Sequence, residues 1–418
     1  MSRLGGRLSD DAVVAVWLST AGISMLGSAA WSFSLNWAST GISGSFAGVN
    51  NAIYTLLLSC LVIFGGVAGD RLGQRTLMLR CYTGYLIVLI AFALTIHTRT
   101  PLAVMLITYT VLSAALTGFG TPSESVFVRQ LVPDARVPHM MAISTTLGLI
   151  TRLVGPAAGA ALIGWAGMSG SALANAASDA LLVLVLWRIH PRYASPHDAR
   201  PKQRTKDSLL EGLHALRSRP DTRAMLVSLS VFAGAFLPVS TLLIPLLAHQ
   251  HSWTSGHAGA LVMGNTAGSL TISAALAALG PYRKPVIPMV FGTVVAAASL
   301  SVLSIGLPVA PSVVCTYLCG LGIAMFTMHM SPLFVLRTPR ELQSRFSSLL
   351  TMAQMLPVMV TSLVFGTVGQ HLGVRTALIG AAMLGVLTLV PLLTTPDLRR
   401  AVFESQRRQP KAGRHSKA

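Results

Sequence analysis

Three charged residues that could do chemistry lie inside long apolar stretches of the sequence: Glu124, Arg152 and Asp179. A charge at the centre of a bilayer costs about 2.5–3.5 kcal/mol on insertion scales, so it usually has a partner or a task. If the chain turns near Gly167, the depths of Arg152 and Asp179 differ by about 4.5 Å of helix rise. We predict that they form an interhelical ion pair, which is either a static contact or a switch for protons or substrate.

Glu124 follows Pro122, and proline can kink or end a helix. If the helix continues, Glu124 faces a central cavity and can take up a proton. If the helix stops at Pro122, Glu124 is an interfacial charge. Desolvation favours the neutral form of a carboxyl group, so a buried acid suits proton exchange. Asp179, Glu124 and Arg152 are therefore the candidates for proton coupling.

The elements that must position these charges are long apolar helices. Of 418 residues, 52% are hydrophobic and only 11% are charged, against about 25% charged residues in soluble domains. Crossing a bilayer core takes roughly 20 apolar residues. We predict an all-α integral membrane protein with twelve transmembrane helices in two pseudo-symmetric six-helix bundles. The predicted helices are Ala12–Leu35, Phe46–Ala68, Thr76–Ile96, Leu102–Thr121, Met140–Trp165, Ser169–Trp187, Ala224–Ala248, Gly256–Gly280, Pro285–Ile305, Ala310–Leu333, Phe346–Gln370 and Val374–Leu393.

The positive charge is distributed by side. With a cytoplasmic N-terminus, every Lys and Arg except Arg99, Arg152 and Arg375 falls in cytoplasmic loops, tails or helix ends. This pattern predicts a multi-pass protein of the cytoplasmic membrane with both termini inside. The net charge of +18 thus reports topology. No basic stripe with interleaved aromatic residues occurs, so we expect no nucleic-acid partner.

The polar stretches divide the chain into two halves. We predict an N-terminal bundle over 1–189, a basic cytoplasmic linker over 190–223, a C-terminal bundle over 224–394 and a basic tail over 395–418. The linker contains Ser208–Ser218, which is either a short amphipathic helix or loosely ordered. Phe127–Arg136 and Phe334–Glu341 are weakly similar, as expected for duplicated halves with a substrate site between them. We expect a monomer that contacts anionic lipids at its cytoplasmic face.

The sharpest motif is Gly65–Arg75, GGVAGDRLGQR, between the second and third predicted helices. Small residues allow helices to approach closely. Asp70 can accept hydrogen bonds from a neighbouring helix N-terminus, which carries partial positive charge. Arginines can bind carboxylates or lipid phosphates. We predict a charged latch that closes the cytoplasmic side, formed by Gly66, Gly69, Asp70, Arg71, Gly73 and Arg75.

This stretch resembles the loop 2–3 signature of the major facilitator superfamily. Gly155, Pro156 and Gly159 are similar to the Gly-Pro-x-x-Gly core of its antiporter branches, although the same residues could form a plain packing kink. Three further segments resemble the drug:proton antiporter branch that includes macrolide and enterobactin exporters. The resemblance implies alternating access and favours export. The three segments are Leu131–Pro156, Leu209–Arg223 and Thr338–Leu349.

The sequence also departs from that pattern. The first predicted helix has no acid and the fourth has no arginine, whereas the best-known drug:proton antiporters carry both. Gly280–Lys284, the equivalent of the latch loop in the second half, lacks the acid. A proton-coupling residue therefore cannot be transferred from that branch, and any second latch is in doubt.

The resemblance implies that helices 1, 4, 7 and 10 line the cavity. The side chains that these helices offer are apolar to mildly polar and include adaptable methionines. Such a lining suits an amphiphilic ligand that is uncharged or weakly charged, although each side chain could equally face a neighbouring helix. The cavity candidates are Trp31, Thr117, Phe232, Phe236, Tyr317, Met328 and His329.

Together these features predict proton-coupled efflux of a small amphiphilic molecule such as a drug, antibiotic or secondary metabolite. The alternatives are an uptake permease of the same fold and a membrane sensor that does not transport. We expect no cofactor and no metal, with the proton gradient as energy source. The sequence shows no nucleophile–base set and no phosphate-binding loop, so neither an enzyme nor an ATP-driven pump is expected.

Overall fold

The described residues of the first half form five α-helices, the fifth of which crosses twice. The computed structural model describes residues 10–191, 193, 220–337 and 343–399. The predicted amphipathic segment Ser208–Ser218 and most of the basic tail lie outside the described residues. The helices of the first half are α1 (Asp10–Ile42), α2 (Gly44–Leu72), α3 (Gln74–Thr95), α4 (Leu102–Arg129) and α5 (Val137–Arg188).

In the part of the chain that the structure describes, the second half contains six long crossings, two of which are built from more than one helical segment. Pro238 ends α6, and a π-helical turn, Val239–Leu243, joins α6 to α7 within one crossing. The helices are α6 (Pro220–Pro238), α7 (Ile244–Gln250), α8 (Ser255–Leu279), α9 (Val286–Leu303), α10 (Val309–Arg337), α11 (Gln343–His371), α12 (Val374–Leu387), α13 (Leu389–Thr394) and α14 (Pro396–Arg399).

The helix α5 is a pair of crossings joined at Gly167. Gly167 has a φ of 66°, a conformation that glycine adopts readily and other residues avoid. Its two arms, 137–166 and 168–188, run on either side of this turn. Eleven helical segments of the described residues are long and apolar enough to span a membrane, and α5 is one of them. Counting its two arms separately gives the twelve predicted crossings, and the turn predicted near Gly167 is confirmed.

Successive crossings alternate in direction, which defines two ends of the molecule. The start of α1, the end of α2, the end of α5 and the start of α6 lie at one end, which we call the linker side. The opposite end is the far side. Close backbone contact holds neighbouring crossings together, as where Gly320 of α10 packs on the backbone of Asn265 in α8 and leaves no room for a Cβ atom.

The two halves are joined at the far side. The rings of Trp37 and His249 stack with centroids 3.9 Å apart, and His249 Nε2 lies 3.0 Å from the Trp37 carbonyl oxygen. The backbone N–H of Gly44 donates to Gln370 Oε1 at 2.8 Å. These residues end α1, begin α2 and end the α7 and α11 crossings, so they close the far end of the interface between the halves.

Candidate functional site

A cavity of about 590 Å³ lies between the two halves. Its walls come mainly from α1 to α5, and the second half contributes Leu237, Thr241, Met355, Val358 and Ser362. In the first half, hydroxyl, amide and phenol groups supply the uncharged polar lining, while apolar surface exceeds polar surface in the cavity as a whole. These polar residues are Ser28, Ser32, Asn36, Asn50, Asn51, Tyr54, Thr55, Tyr82, Tyr85, Tyr109, Thr110, Ser113, Thr117 and Thr121.

The cavity brings together the three charged residues that sequence analysis selects: Glu124, Arg152 and Asp179. The helix α4 continues through Pro122 as far as Arg129. Glu124 therefore faces the cavity, as in the first of the two alternatives. Its Oε2 atom lies 3.3 Å from the hydroxyl of Tyr82, which donates to it.

Asp179 is fully buried at the wall between α1 and the second arm of α5. Ser24 Oγ donates to Asp179 Oδ1 at 2.6 Å, and Oδ2 has no hydrogen-bond partner. The predicted ion pair with Arg152 is absent from this conformation, because Asp179 bonds to α1 while the Arg152 side chain is exposed in the cavity. A buried carboxylate oxygen without a partner is energetically unfavourable, and a proton, a hydrogen-bond donor or a cation would reduce that cost.

Tyr85 and Tyr109, which the sequence analysis missed, line the cavity beside Trp31. Tyr109 donates to the hydroxyl of Tyr85 at 2.6 Å, and the Trp31 ring packs edge-on against Tyr109 with centroids 5.4 Å apart. The helix α2 adds Asn50 and Tyr54 to the lining. Polar residues four apart in an otherwise apolar helix were the sequence signal that could have found this face.

Trp31 and Thr117 line the cavity as predicted, but the two phenylalanine candidates do not. The Phe232 ring stacks on Phe326 with centroids 3.9 Å apart, and the Phe236 ring lies against Gly385. Both side chains therefore belong to the core of the second half. The prediction failed for them because α6 turns a different face to the cavity, with Leu237 on it.

The three candidates on α10 also lie away from the cavity. His329 is buried, its Nδ1 is 2.8 Å from the Met325 carbonyl oxygen, and its Nε2 accepts from a backbone N–H of the loop after α8. The Tyr317 hydroxyl lies 3.0 Å from Thr271 Oγ1. Met328 is 40% exposed on the outer surface of the helix. The helix α10 thus packs against α8 and α9 instead of lining the cavity.

The Gly155–Gly159 motif forms the tightest contact between the first arm of α5 and α1. A Cβ atom at Gly155 would collide with Ala29, and one at Gly159 with the backbone of Ala30. The same turn of α5 meets α8 of the other half, because Ser255 Oγ donates to the Ala160 carbonyl oxygen at 3.1 Å. The motif therefore packs α5 against both halves towards the far side.

The charged residues of the latch motif make their hydrogen bonds inside the first half. Asp70 is exposed, and Gln74 Nε2 donates to its Oδ1 at 3.3 Å. The Arg75 guanidinium donates to the carbonyl oxygens of Leu186, Trp187 and Ile189 at 3.1, 2.6 and 2.7 Å. Among the described residues, Asp70 has no hydrogen bond to the second half, and the predicted latch contact is not seen there.

The glycines of the same motif have different surroundings. A Cβ atom at Gly65 would lie 2.6 Å from the carbonyl oxygen of Gly118 in α4, and one at Gly69 would lie 2.7 Å from Ser123 Oγ. Gly73 has a φ of 82° and turns α2 into α3. A Cβ atom at Gly66 would meet nothing within 4 Å. Gly65 and Gly69 thus serve packing within the bundle, whereas Gly66 faces open space on the linker side.

Replacing Arg75 with Lys is expected to destabilise the first bundle without altering the cavity. A lysine ammonium cannot reproduce the guanidinium's simultaneous bonds to several carbonyl oxygens. A charge-assisted hydrogen bond contributes about 1.5–3 kcal/mol, so we expect a lower melting temperature in detergent. Thermal unfolding followed by thiol-reactive dye tests this, with Arg71→Lys as the matched control at an exposed arginine. Equal melting temperatures for the two variants would contradict the assigned role.

The family model of the Major Facilitator Superfamily matches residues 12–362. No curated protein sequence matches the chain. Solved structures with similar folds include the nucleoside transporter NupG, with a TM-score of 0.66 and 14% identity over 91% of this chain and 98% of that one. A D-xylose-proton symporter matches with a TM-score of 0.66 and 15% identity over 93% and 99% of the two chains.

A bacterial homologue of the iron transporter ferroportin, solved in an inward-facing state, matches with a TM-score of 0.68. The identity is 13%, over 93% of this chain and all of the other. At such identities the likeness shows the fold alone. The family match spans most of the sequence, and the two-bundle architecture agrees with it. The chain therefore belongs to the Major Facilitator Superfamily, a family of membrane transporters rather than enzymes.

Proposed function

We propose that the protein is a proton-coupled secondary transporter that exports a small amphiphilic molecule by alternating access. The observation that carries this proposal is the meeting of Glu124, Asp179 and Arg152 in one cavity between the two halves. Ionisable groups at membrane depth mark ion and substrate pathways. The cavity volume of about 590 Å³ is in the range that holds drug-sized ligands.

The free oxygen of Asp179 gives the coupling a physical basis. A proton on Asp179 would remove the unpaired negative charge, and so would a cationic partner within the cavity. Arg152 lines the same cavity with an exposed side chain and is the cationic residue of that lining. A proton, a ligand and the Arg152 guanidinium then compete for the Asp179 carboxylate. Binding of a proton therefore favours release of the ligand, and binding of the ligand favours release of the proton. Glu124, nearer the linker side, is placed to pass protons to that end.

The proposed conformational cycle follows from the closed far side. With the linker side in the cytoplasm, the present arrangement exposes the cavity to the cytoplasm, since Thr121 and Arg152 are exposed lining residues. Opening the far side requires breaking the Trp37–His249 and Gly44–Gln370 contacts. Closing the linker side would bring the end of α2, with Asp70 and Gly66, against the second half.

Export is supported by the Gly155–Gly159 motif and by the resemblance to the drug:proton antiporter branch that includes macrolide and enterobactin exporters. Proton symport in the uptake direction is the alternative, and the same fold occurs in a D-xylose-proton symporter. A non-transporting sensor is the third possibility.

Expression in a bacterial strain that lacks its major efflux pumps distinguishes export, uptake and sensing. Export lowers the retention of dyes and raises drug resistance in a way that a protonophore abolishes; uptake raises retention, and a sensor changes neither.

A disulfide across the far-side interface is expected to stop transport reversibly. A Cβ atom at Gly164 would lie 3.5 Å from Ser255 Oγ, so the pair Gly164→Cys and Ser255→Cys would hold the halves together in a background without the four native cysteines. Oxidation should eliminate turnover in proteoliposomes, and dithiothreitol should restore it. Each single cysteine serves as a control. Full transport by the oxidised, crosslinked protein would rule out opening at this interface.

A further inference from the structure

A second cavity of about 250 Å³ lies beside the first, between α1, α4 and the first arm of α5. Its lining is largely apolar and includes Trp17, Met25 and Leu147. The two cavities share Thr121 and Glu124. Glu124 therefore lies at the boundary between the central cavity, which carries most of the polar groups, and the smaller apolar cavity.

The charges of the two chambers favour a cation at that boundary. Glu124 and Asp179 supply two carboxylates, and Arg152 supplies one positive charge. Asp179 is fully buried and its Oδ2 atom has no partner. The tyrosine rings around the central cavity can also face a cation favourably. A positively charged ligand group is thus better matched to the central cavity than a negative one.

We propose that the second cavity binds the apolar group of a cationic amphiphile whose positive charge lies against Glu124. The polar remainder of the ligand extends into the central cavity towards Asp179. This assignment rests on the proposed function in taking the central cavity as the substrate site, and it narrows the substrate class to organic cations with one apolar arm. Binding of an apolar arm there removes apolar surface from water, which stabilises the complex.

The test compares hexyltrimethylammonium with tetramethylammonium, which share a charged head and differ in the apolar arm. Their affinities are measured by calorimetry on purified protein in lipid nanodiscs at fixed pH, with empty nanodiscs as the partition control. We expect at least tenfold tighter binding of the hexyl compound. Ser144→Phe, which fills the second cavity, should bring that ratio near one. Thr145→Phe changes the neighbouring exposed position and should keep the ratio.

Three further measurements make the outcome decisive. Glu124→Gln should weaken both cations about tenfold, whereas hexanol should not compete. If Ser144→Phe unfolds, Ser144→Leu gives a smaller filling side chain for the same comparison. If the ratio of the two affinities is unchanged in folded Ser144 variants, the second cavity is not the binding site. If hexanol competes, the site does not require a charge, which is the result expected if the cavity binds the acyl chain of a lipid. These are equilibrium measurements without a pH gradient, so they stand or fall independently of proton-coupled export.

Discussion

Replacing Asp179 with Asn should abolish proton-driven transport while leaving the protein folded. Asn keeps the size of the side chain and can still accept the hydrogen bond from Ser24, but it cannot bind and release a proton. If Asp179 couples the proton gradient to transport, the Asn variant should only equalise the substrate concentrations on the two sides of the membrane. The expected loss is at least a hundredfold in the rate of proton-dependent transport.

Proteoliposomes with an imposed pH gradient measure this directly. Asp221→Asn is the matched control, because Asp221 lies outside the cavity and pairs with Arg337 at 3.6 Å. Ser24→Ala should have an intermediate effect, since it removes the bond to Oδ1 and retains the carboxylate. Proton-dependent accumulation by Asp179→Asn at the rate of the unaltered protein would remove Asp179 from the mechanism and leave Glu124 as the coupling candidate.

Replacing Gly159 with Leu should prevent assembly of the first bundle. Gly159 packs directly on the backbone of Ala30, so even a methyl group requires α1 and α5 to separate. Overpacking in a tight core costs typically about 1–3 kcal/mol, and here the obstacle is backbone that no side-chain rotation can move. We expect little or no folded protein in detergent extracts.

Fluorescence-detected size-exclusion chromatography of a fusion protein gives the measurement. Gly66→Ala is the matched control, since Gly66 also lies in a helix and a Cβ atom there meets nothing within 4 Å. That variant should elute as a single peak. Monodisperse Gly159→Leu protein with a normal melting temperature would show that α1 and α5 are less closely packed than described.

The architecture could be predicted from sequence because membrane burial acts on every crossing in the same way. Each helix must satisfy its own backbone hydrogen bonds in lipid, so a long apolar run indicates a helix wherever it occurs. The turn at Gly167 followed from the break between two such runs, and the structure confirms it. Glu124, Arg152 and Asp179 could be selected from the sequence because few charges occur at membrane depth, and the structure brings all three to one cavity.

The cavity-facing side chains could not be predicted as reliably, because helix rotation is set by packing that the sequence shows only weakly. A shift of one residue turns an α-helix by about 100°, and the structure places Leu237 in the cavity beside the buried Phe236. Likewise, the matched depths of Arg152 and Asp179 gave no information about Ser24, which takes the place of the arginine. Hydrophobicity indicates how deep a residue lies in the membrane, whereas the rotation of a helix about its own axis depends on the helices packed around it.

The uneven lining of the central cavity implies a division of labour between the bundles. Almost all polar lining groups belong to residues before 189, while the second half supplies a few mostly apolar contacts. The first bundle would thus determine which ligands bind, whereas the second bundle would mainly close one side of the cavity as it moves. Ligand preference should therefore change mainly through substitutions in the first bundle. Exchanging the second bundle for that of a relative should leave ligand selectivity unchanged.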